Sequence, residues 1–147
     1  MLFRSIDIDS LFNNIELLSF DLISGRYGLC YFVVYRHHSV DMNLLTERLC
    51  RYTSKSHANI VSGDFNCPGI NWSTLYRQND GVHDVFLDYV VSAGFSRVDF
   101  CTRGRNTLDL VLTDDEQLIN SVMADDVFGD SDHDTVKFVI ELSVEIV

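Results

Sequence analysis

Three short segments carry the residues that could do chemistry. Asp64 and Asn66 lie in Ser62-Gly63-Asp64-Phe65-Asn66, and Asp109 lies in Asn106-Thr107-Leu108-Asp109-Leu110-Val111-Leu112. Asp132 and His133 follow Ser131. Each segment places acidic, amide or imidazole groups where an apolar strand stops or begins. A core strand has no use for an unpaired carboxylate, because a buried charge is expensive. If these groups meet at one end of a sheet, the chemistry they suit is binding of a divalent metal and attack on a phosphate ester.

The elements that must position them follow from the pattern of apolar residues. Residues 15–23 are rich in leucine and isoleucine and read as a strand. Residues 27–35 read as another, with Phe32, Val33 and Val34 giving β-branched and aromatic character. Ser24-Gly25-Arg26 between them looks like a hairpin turn. Asp41 can cap a helix running to about Thr53, since Met42, Leu45, Leu49 and Tyr52 make one apolar face. Residues 58–62 form a short strand that delivers Gly63 and Asp64. Residues 67–80 read as a loop around Pro68 and Trp72. Val82, Val85, Phe86, Tyr89, Val90 and Ala93 form the stripe of a second helix, which Gly94 can end. Residues 96–101 suggest a short strand, and 107–113 a strand with Leu108, Leu110 and Leu112 on one side and Asp109 on the other. Residues 121–128 read as irregular or a further strand. Residues 136–146 alternate strictly and make the clearest strand. Strands mixed with two helices predict a layered α/β domain.

Composition narrows the class. A chain of 147 residues can build one domain with a real core. With 46% hydrophobic residues, 12% aromatics and a single proline, disorder and low complexity are excluded. The formal charge is −11, from 22 acidic and 11 basic residues. Such a balance argues against holding nucleic acid by charge alone, although metal ions could cover an acidic cluster. Cys30, Cys50, Cys67 and Cys101 contain no Cys-x-x-Cys pair, so a structural zinc site is not expected. Residues 1–14 lack an apolar stretch, so they are not expected to act as a signal peptide. No run is long enough to span a bilayer, and reduced thiols in an intracellular protein are the simplest reading.

From Gly63-Asp64-Phe65-Asn66 onward the wording resembles the endonuclease/exonuclease/phosphatase family. The match continues through Pro68-Gly69-Ile70-Asn71-Trp72, then Asn106 to Thr113, then Ser131-Asp132-His133. It is most similar to the endonuclease domain of non-LTR (LINE-type) retrotransposons. Val33-Val34-Tyr35-Arg36 also resembles that family's strand ending in a functional tyrosine. Four segments in the right order are far more specific than any one of them.

The resemblance implies a two-sheet α/β sandwich with its site at one end of the paired sheets, and a single partial domain over residues 1–147. It implies hydrolysis of phosphate esters with Mg²⁺ or Mn²⁺. Asp64 would activate or position water and share the metal site with Asp132. Asn66 would hold the scissile phosphate. His133 would contact it, oriented by Asp109, and Tyr35 would donate a hydrogen bond to the phosphoryl oxygens. DNA is the implied partner, with a reverse transcriptase domain of the same element and an intracellular, nuclear setting. The residue chemistry is compatible: hard oxygen ligands suit Mg²⁺, and a carboxylate beside a histidine fixes its tautomer.

The sequence departs from the family pattern at two places. Family domains begin well before this point, with N-terminal strands that supply an asparagine and a metal-binding glutamate. Glu16 is the only acidic candidate near the start of the first strand, and its surroundings do not match the family motif. After Arg36 the family has prolines, where this chain has His37 and His38. A lost charged ligand weakens metal binding, and an uncovered sheet face is expected. The expectation is therefore a metal-dependent DNA endonuclease domain that is weak or inactive in isolation. The alternatives are a non-catalytic remnant of a retroelement and a hydrolase of small phosphate esters.

Plainer roles exist for each residue. Asp64 and Asn66 are common turn residues. Asp109 could be half of a structural ion pair, and Asp132 and His133 could simply start the last strand. Tyr35 could be a packing tyrosine with a solvated hydroxyl. His37 and His38 read as loop histidines and Trp72 as loop packing. Asp114-Asp115-Glu116 reads as a solvated turn, as do Asp125 and Asp126.

Overall fold

The computed structural model describes residues 2–8, 15–24, 27–53, 55–77, 81, 83–98 and 107–142. A six-stranded sheet is its frame. In chain order its strands are β1 (Leu2–Ile8), β2 (Ile15–Ser24), β3 (Tyr27–Arg36), β4 (Ala58–Asp64), β7 (Ser96–Arg97) and β8 (Asp109–Thr113). Across the sheet they run β1-β2-β3-β4-β8-β7. Among the described residues, only β3 and β4 pair in parallel; the crossover between them holds helix α1 (Met42–Tyr52). A second helix, α2 (Asp84–Ser92), precedes β7. Two smaller strand pairs and a short 3-10 turn at Glu116–Leu118 complete the described elements. One pair is β5 (Ile70–Asn71) with β6 (Tyr76–Arg77), and the other is β9 (Ile119–Asp125) with β10 (Thr135–Ile140).

Period-two alternation gives the sheet two different faces. Ile15 and Leu17 on β2, Phe32 and Val34 on β3, Val61 on β4, and Leu110 and Leu112 on β8 are all buried in one cluster with α1 and α2. Met42, Leu45 and Leu49 of α1 and Phe86 of α2 are fully buried there. On the other face Leu29, Ile60 and Val111 pack under Val136, Phe138 and Ile140 of β10. Strand β4 is buried on both faces from Asn59 to Ser62, so that the adjacent Ile60 and Val61 are both in the core although they point to opposite sides. The second face is covered unevenly. Leu18, Tyr27 and Tyr35 share it by phase and are 38%, 46% and 43% exposed.

Helix α1 begins where its sequence says it should. The Asp41 side chain accepts from the Asn43 amide at 2.9 Å and so satisfies a donor that has no partner within the helix. Asp41→Ala is expected to lower stability by about 1 kcal/mol in urea unfolding. An unchanged midpoint would show that this cap contributes nothing.

Several elements differ from the sequence reading. Residues 67–80 are not wholly a loop, since Ile70–Asn71 pairs with Tyr76–Arg77. The last strand ends at Ile140, short of the full alternating run. Residues 143–146 of that run lie outside the described residues, as do Gly25 and Arg26 of the hairpin and residues 99–101 of the strand expected there. Strand β1, which pairs with β2 from Leu2↔Ile23 to Ile8↔Leu17, carries no pattern that announced it. Among the described residues, no helix is long and apolar enough to cross a membrane.

Candidate active site

Strand register places the polar residues in one row. Glu16 pairs with Tyr35, Tyr35 with Asp64, and Asp64 with Asp109. Paired residues share a face, so all four sit on the side of the sheet that carries β9 and β10. His133 comes from the loop between those two strands. Its Nδ1 lies 2.6 Å from Oδ2 of Asp109, across 24 residues of sequence. One ligand atom from each of Asp64, Asp109 and His133 falls within 4.8 Å of the other two. Two carboxylates and an imidazole at that spacing form a group that could hold a divalent metal ion.

The turn after β4 is built tightly. Gly63 has φ +137°, and a Cβ there would lie 1.9 Å from the carbonyl oxygen of Val34. Phe65 is fully buried beneath the turn, stacked on Phe86 at 5.3 Å, and its amide donates to Leu108 O at 2.9 Å. Asn66 has φ +48°, a left-handed conformation that asparagine tolerates. Its amide donates to Asp64 Oδ1 at 2.9 Å, and its side-chain Nδ2 donates to Arg36 O at 2.8 Å. That second bond uses one of the two amide hydrogens that Asn66 could offer a phosphate.

The remaining predicted residues lie around this group. Asp132 is 65% exposed, with Oδ1 3.7 Å from His133 Nε2, and is outside the three-residue cluster. Tyr35 is exposed at the end of β3, beside Asp64 in register. Asn106 lies outside the described residues. His37 and His38 occupy the loop after β3, their rings 4.0 Å apart, and His37 pairs with Ser39 Oγ at 2.7 Å. Trp72 packs edge-on to Phe86 at 6.2 Å. The Asp114 turn is more than solvated: its carboxylate takes the Asn59 amide at 2.6 Å and Asn59 Nδ2 at 2.7 Å. Asp125 pairs with Lys137, which pulls its carboxyl below the usual range.

Sequence reasoning passed over Arg36. This arginine is 2% exposed and occupies the buried phase of β3 with Cys30, Phe32 and Val34. A cation in phase with apolar neighbours is the signal that could have found it. Burial lowers its pKa, opposed by Cys67, Asp64 and Asp41. Tyr31 and Ser62 were also passed over. Their hydroxyls meet at 2.6 Å in the wall of a cavity of about 240 Å³ beside Asp109, which Asp134 and Phe138 also line.

The hydrogen bond that His133 donates to Asp109 raises the His133 pKa, with burial opposing and the charges of Asp109, Asp64 and Asp132 assisting. In the metal-free chain, an NMR titration is expected to place His133 above its ordinary 6.5. The sign for stability follows. The pair's contribution is full below the unfolded value and is lost as pH rises through the higher folded one. A titration at or below the ordinary value would remove the ion pair.

The profile of the family described as "Endonuclease-reverse transcriptase" matches residues 29–137. The chain belongs to that family. The match begins in β3 and ends in β10, so it takes in every residue of the cluster. This endonuclease-reverse transcriptase chain is also similar in fold to solved endonuclease/exonuclease/phosphatase proteins. One is the endonuclease domain of TRAS1, a telomere-specific non-LTR retrotransposon. There the TM-score is 0.65 and identity 18%, over 95% of this chain and 68% of that one. Another is an endonuclease/exonuclease/phosphatase family protein from Leptotrichia buccalis, with TM-score 0.54 and 16% identity, over 86% of this chain and 54% of that one. At such identities the likeness shows the fold, a two-sheet α/β architecture with helices on one side. No curated protein sequence matches the chain.

Proposed function

We propose that this chain is a divalent-metal-dependent phosphodiesterase, the DNA-nicking endonuclease domain of a retroelement, and that it cuts slowly on its own. The observation that carries the reading is the convergence of Asp64, Asp109 and His133 from three separate segments to within 4.8 Å. A packing role for these residues requires no such meeting. Mg²⁺ or Mn²⁺ would be held by Asp64, with Asp132 and the Asp109–His133 pair at its margin, and would supply positive charge to offset that of the phosphate.

The side chains divide the remaining work. Asp64 positions the attacking water and accepts its proton. His133, whose protonated form Asp109 favours, donates in that form from Nε2 to a phosphoryl oxygen as charge builds there. Asn66 contributes its second amide hydrogen to the phosphate, and Tyr35 its hydroxyl. Slow turnover follows from the donor count. Mg²⁺ demands near-octahedral oxygen coordination, and Glu16 stands two strands from Asp64 rather than within the cluster.

DNA is the proposed substrate, a reverse transcriptase domain of the same element the proposed partner, and residues 1–147 the proposed single domain, working inside the cell at DNA. A small phosphate ester is the second reading, favoured by the charge of −11. A supercoiled-plasmid nicking assay with Mg²⁺ and with Mn²⁺ tests the proposal. Slow, chelator-sensitive nicking that Asp64→Ala and His133→Ala abolish is the expected outcome. Cutting that survives both substitutions would refute this site. Absence of nicking alongside hydrolysis of a small phosphate ester would favour the second reading.

A further inference from the structure

We propose that Arg36 is the positioning residue for the Asp64–Asn66 turn, joining the end of β3 to the end of β4. The proposal rests on the catalytic reading of that turn. Arg36 Nε donates to Phe65 O at 2.7 Å, one terminal nitrogen to Asn66 O at 2.6 Å, and the other to Val40 O. Asn66 returns the contact through Nδ2 to Arg36 O at 2.8 Å. The two residues, 30 apart in sequence, thus grip each other's backbone in both directions.

The physical need is clear from the turn. Asn66 is left-handed, so Phe65 O and Asn66 O are outside the sheet ladder and must find other donors. A guanidinium presents a rigid planar fork that can serve several carbonyls at once. An ammonium is a single point on a flexible stem. Hydrogen bonds from a charged donor to buried carbonyls are among the stronger ones. Fixing those carbonyls fixes the peptide between them, and so the amide of Asn66 that binds Asp64 Oδ1. Arg36 touches neither water nor phosphate in this scheme; it acts through Asp64 and Asn66.

Arg36→Lys tests this, because it retains the charge and loses the fork. In the metal-free chain, amide hydrogen exchange at Asn66 is expected to accelerate roughly tenfold or more. Exchange at Leu110 and Val111 of β8 is expected to stay within about twofold, because a local opening leaves the central strands protected. With plasmid, kcat should fall and KM should hold, and the exposed-site control Arg51→Lys should change neither. If the lysine variant does not fold, Arg36→Gln replaces it. Unchanged Asn66 exchange overturns the proposal. So does equal acceleration across β8, or failure of both variants to fold, since each makes Arg36 a general structural residue. The exchange measurement needs no turnover. If it succeeds while neither parent nor variant cuts DNA, the nuclease reading has failed and the positioning of the turn stands.

Discussion

Gly63→Ala is expected to destabilise the chain by roughly 2–5 kcal/mol, combining backbone strain with overpacking. The new Cβ would stand 1.9 Å from the carbonyl oxygen of Val34 and 2.8 Å from its carbon, and both atoms belong to the adjacent strand. Neither can swing aside as a side-chain tip would. A φ of +137° is also strained for any L side chain. Relief requires β4 to part from β3 next to Asp64, so activity should fall further than stability does. Urea unfolding monitored by tryptophan fluorescence gives the first quantity and plasmid nicking the second. A variant within about 0.5 kcal/mol of the parent, the range of an ordinary surface substitution, would show that the strand separation is already loose.

Asp109→Asn should lower nicking by about a hundred- to a thousandfold while leaving the fold intact, since a carboxylate that orients a catalytic histidine has effects of at least that order. Asparagine keeps the size and one acceptor but removes the charge that favours protonated His133. The His133 titration should then move down, and with it the upper limb of the pH–rate profile. Far-ultraviolet circular dichroism should not change, because Asp109 is half-buried at the start of β8 rather than inside the core. If nicking survives within tenfold, His133 works without its partner and the 2.6 Å contact is structural.

Much of this architecture could be read from residue order. Helix α1 was legible because Asp41 and the Met42, Leu45, Leu49 spacing point to the same start and the same face. The segments around Asp64, Asp109 and His133 were legible as candidates because each puts a charge against an apolar run. Their meeting was expected from the family resemblance and not from spacing, because it depends on the register between β4 and β8 and on where the β9–β10 loop lands. The pairing of Ile70–Asn71 with Tyr76–Arg77 escaped because two-residue strands have no period to detect. Strand β10 ends before the alternating pattern does, since alternation reports a tendency to be half-buried and not how much partner strand is present. Arg36 escaped for the opposite reason. Its type suggests solvent, while its phase on β3 dictates burial, and phase prevailed because three carbonyls were waiting for it.

The row from Glu16 through Tyr35 and Asp64 to Asp109 constrains how this gene can drift. Neighbouring strands are separated by a nearly constant step, and each strand shows alternate residues to opposite sides. Most substitutions along β3, β4 and β8 leave that frame alone, Gly63 being an exception because a Cβ there strikes the backbone of β3. Loss or gain of a single codon between Asn59 and Asp64 would turn the Asp64 carboxylate toward Phe32 and Leu45, into the greasy layer beneath the helices. Lineages that keep this chemistry should therefore vary more in letters than in length across those strands, outside Arg36, Gly63, Asp64 and Asp109, with indels confined to the connections.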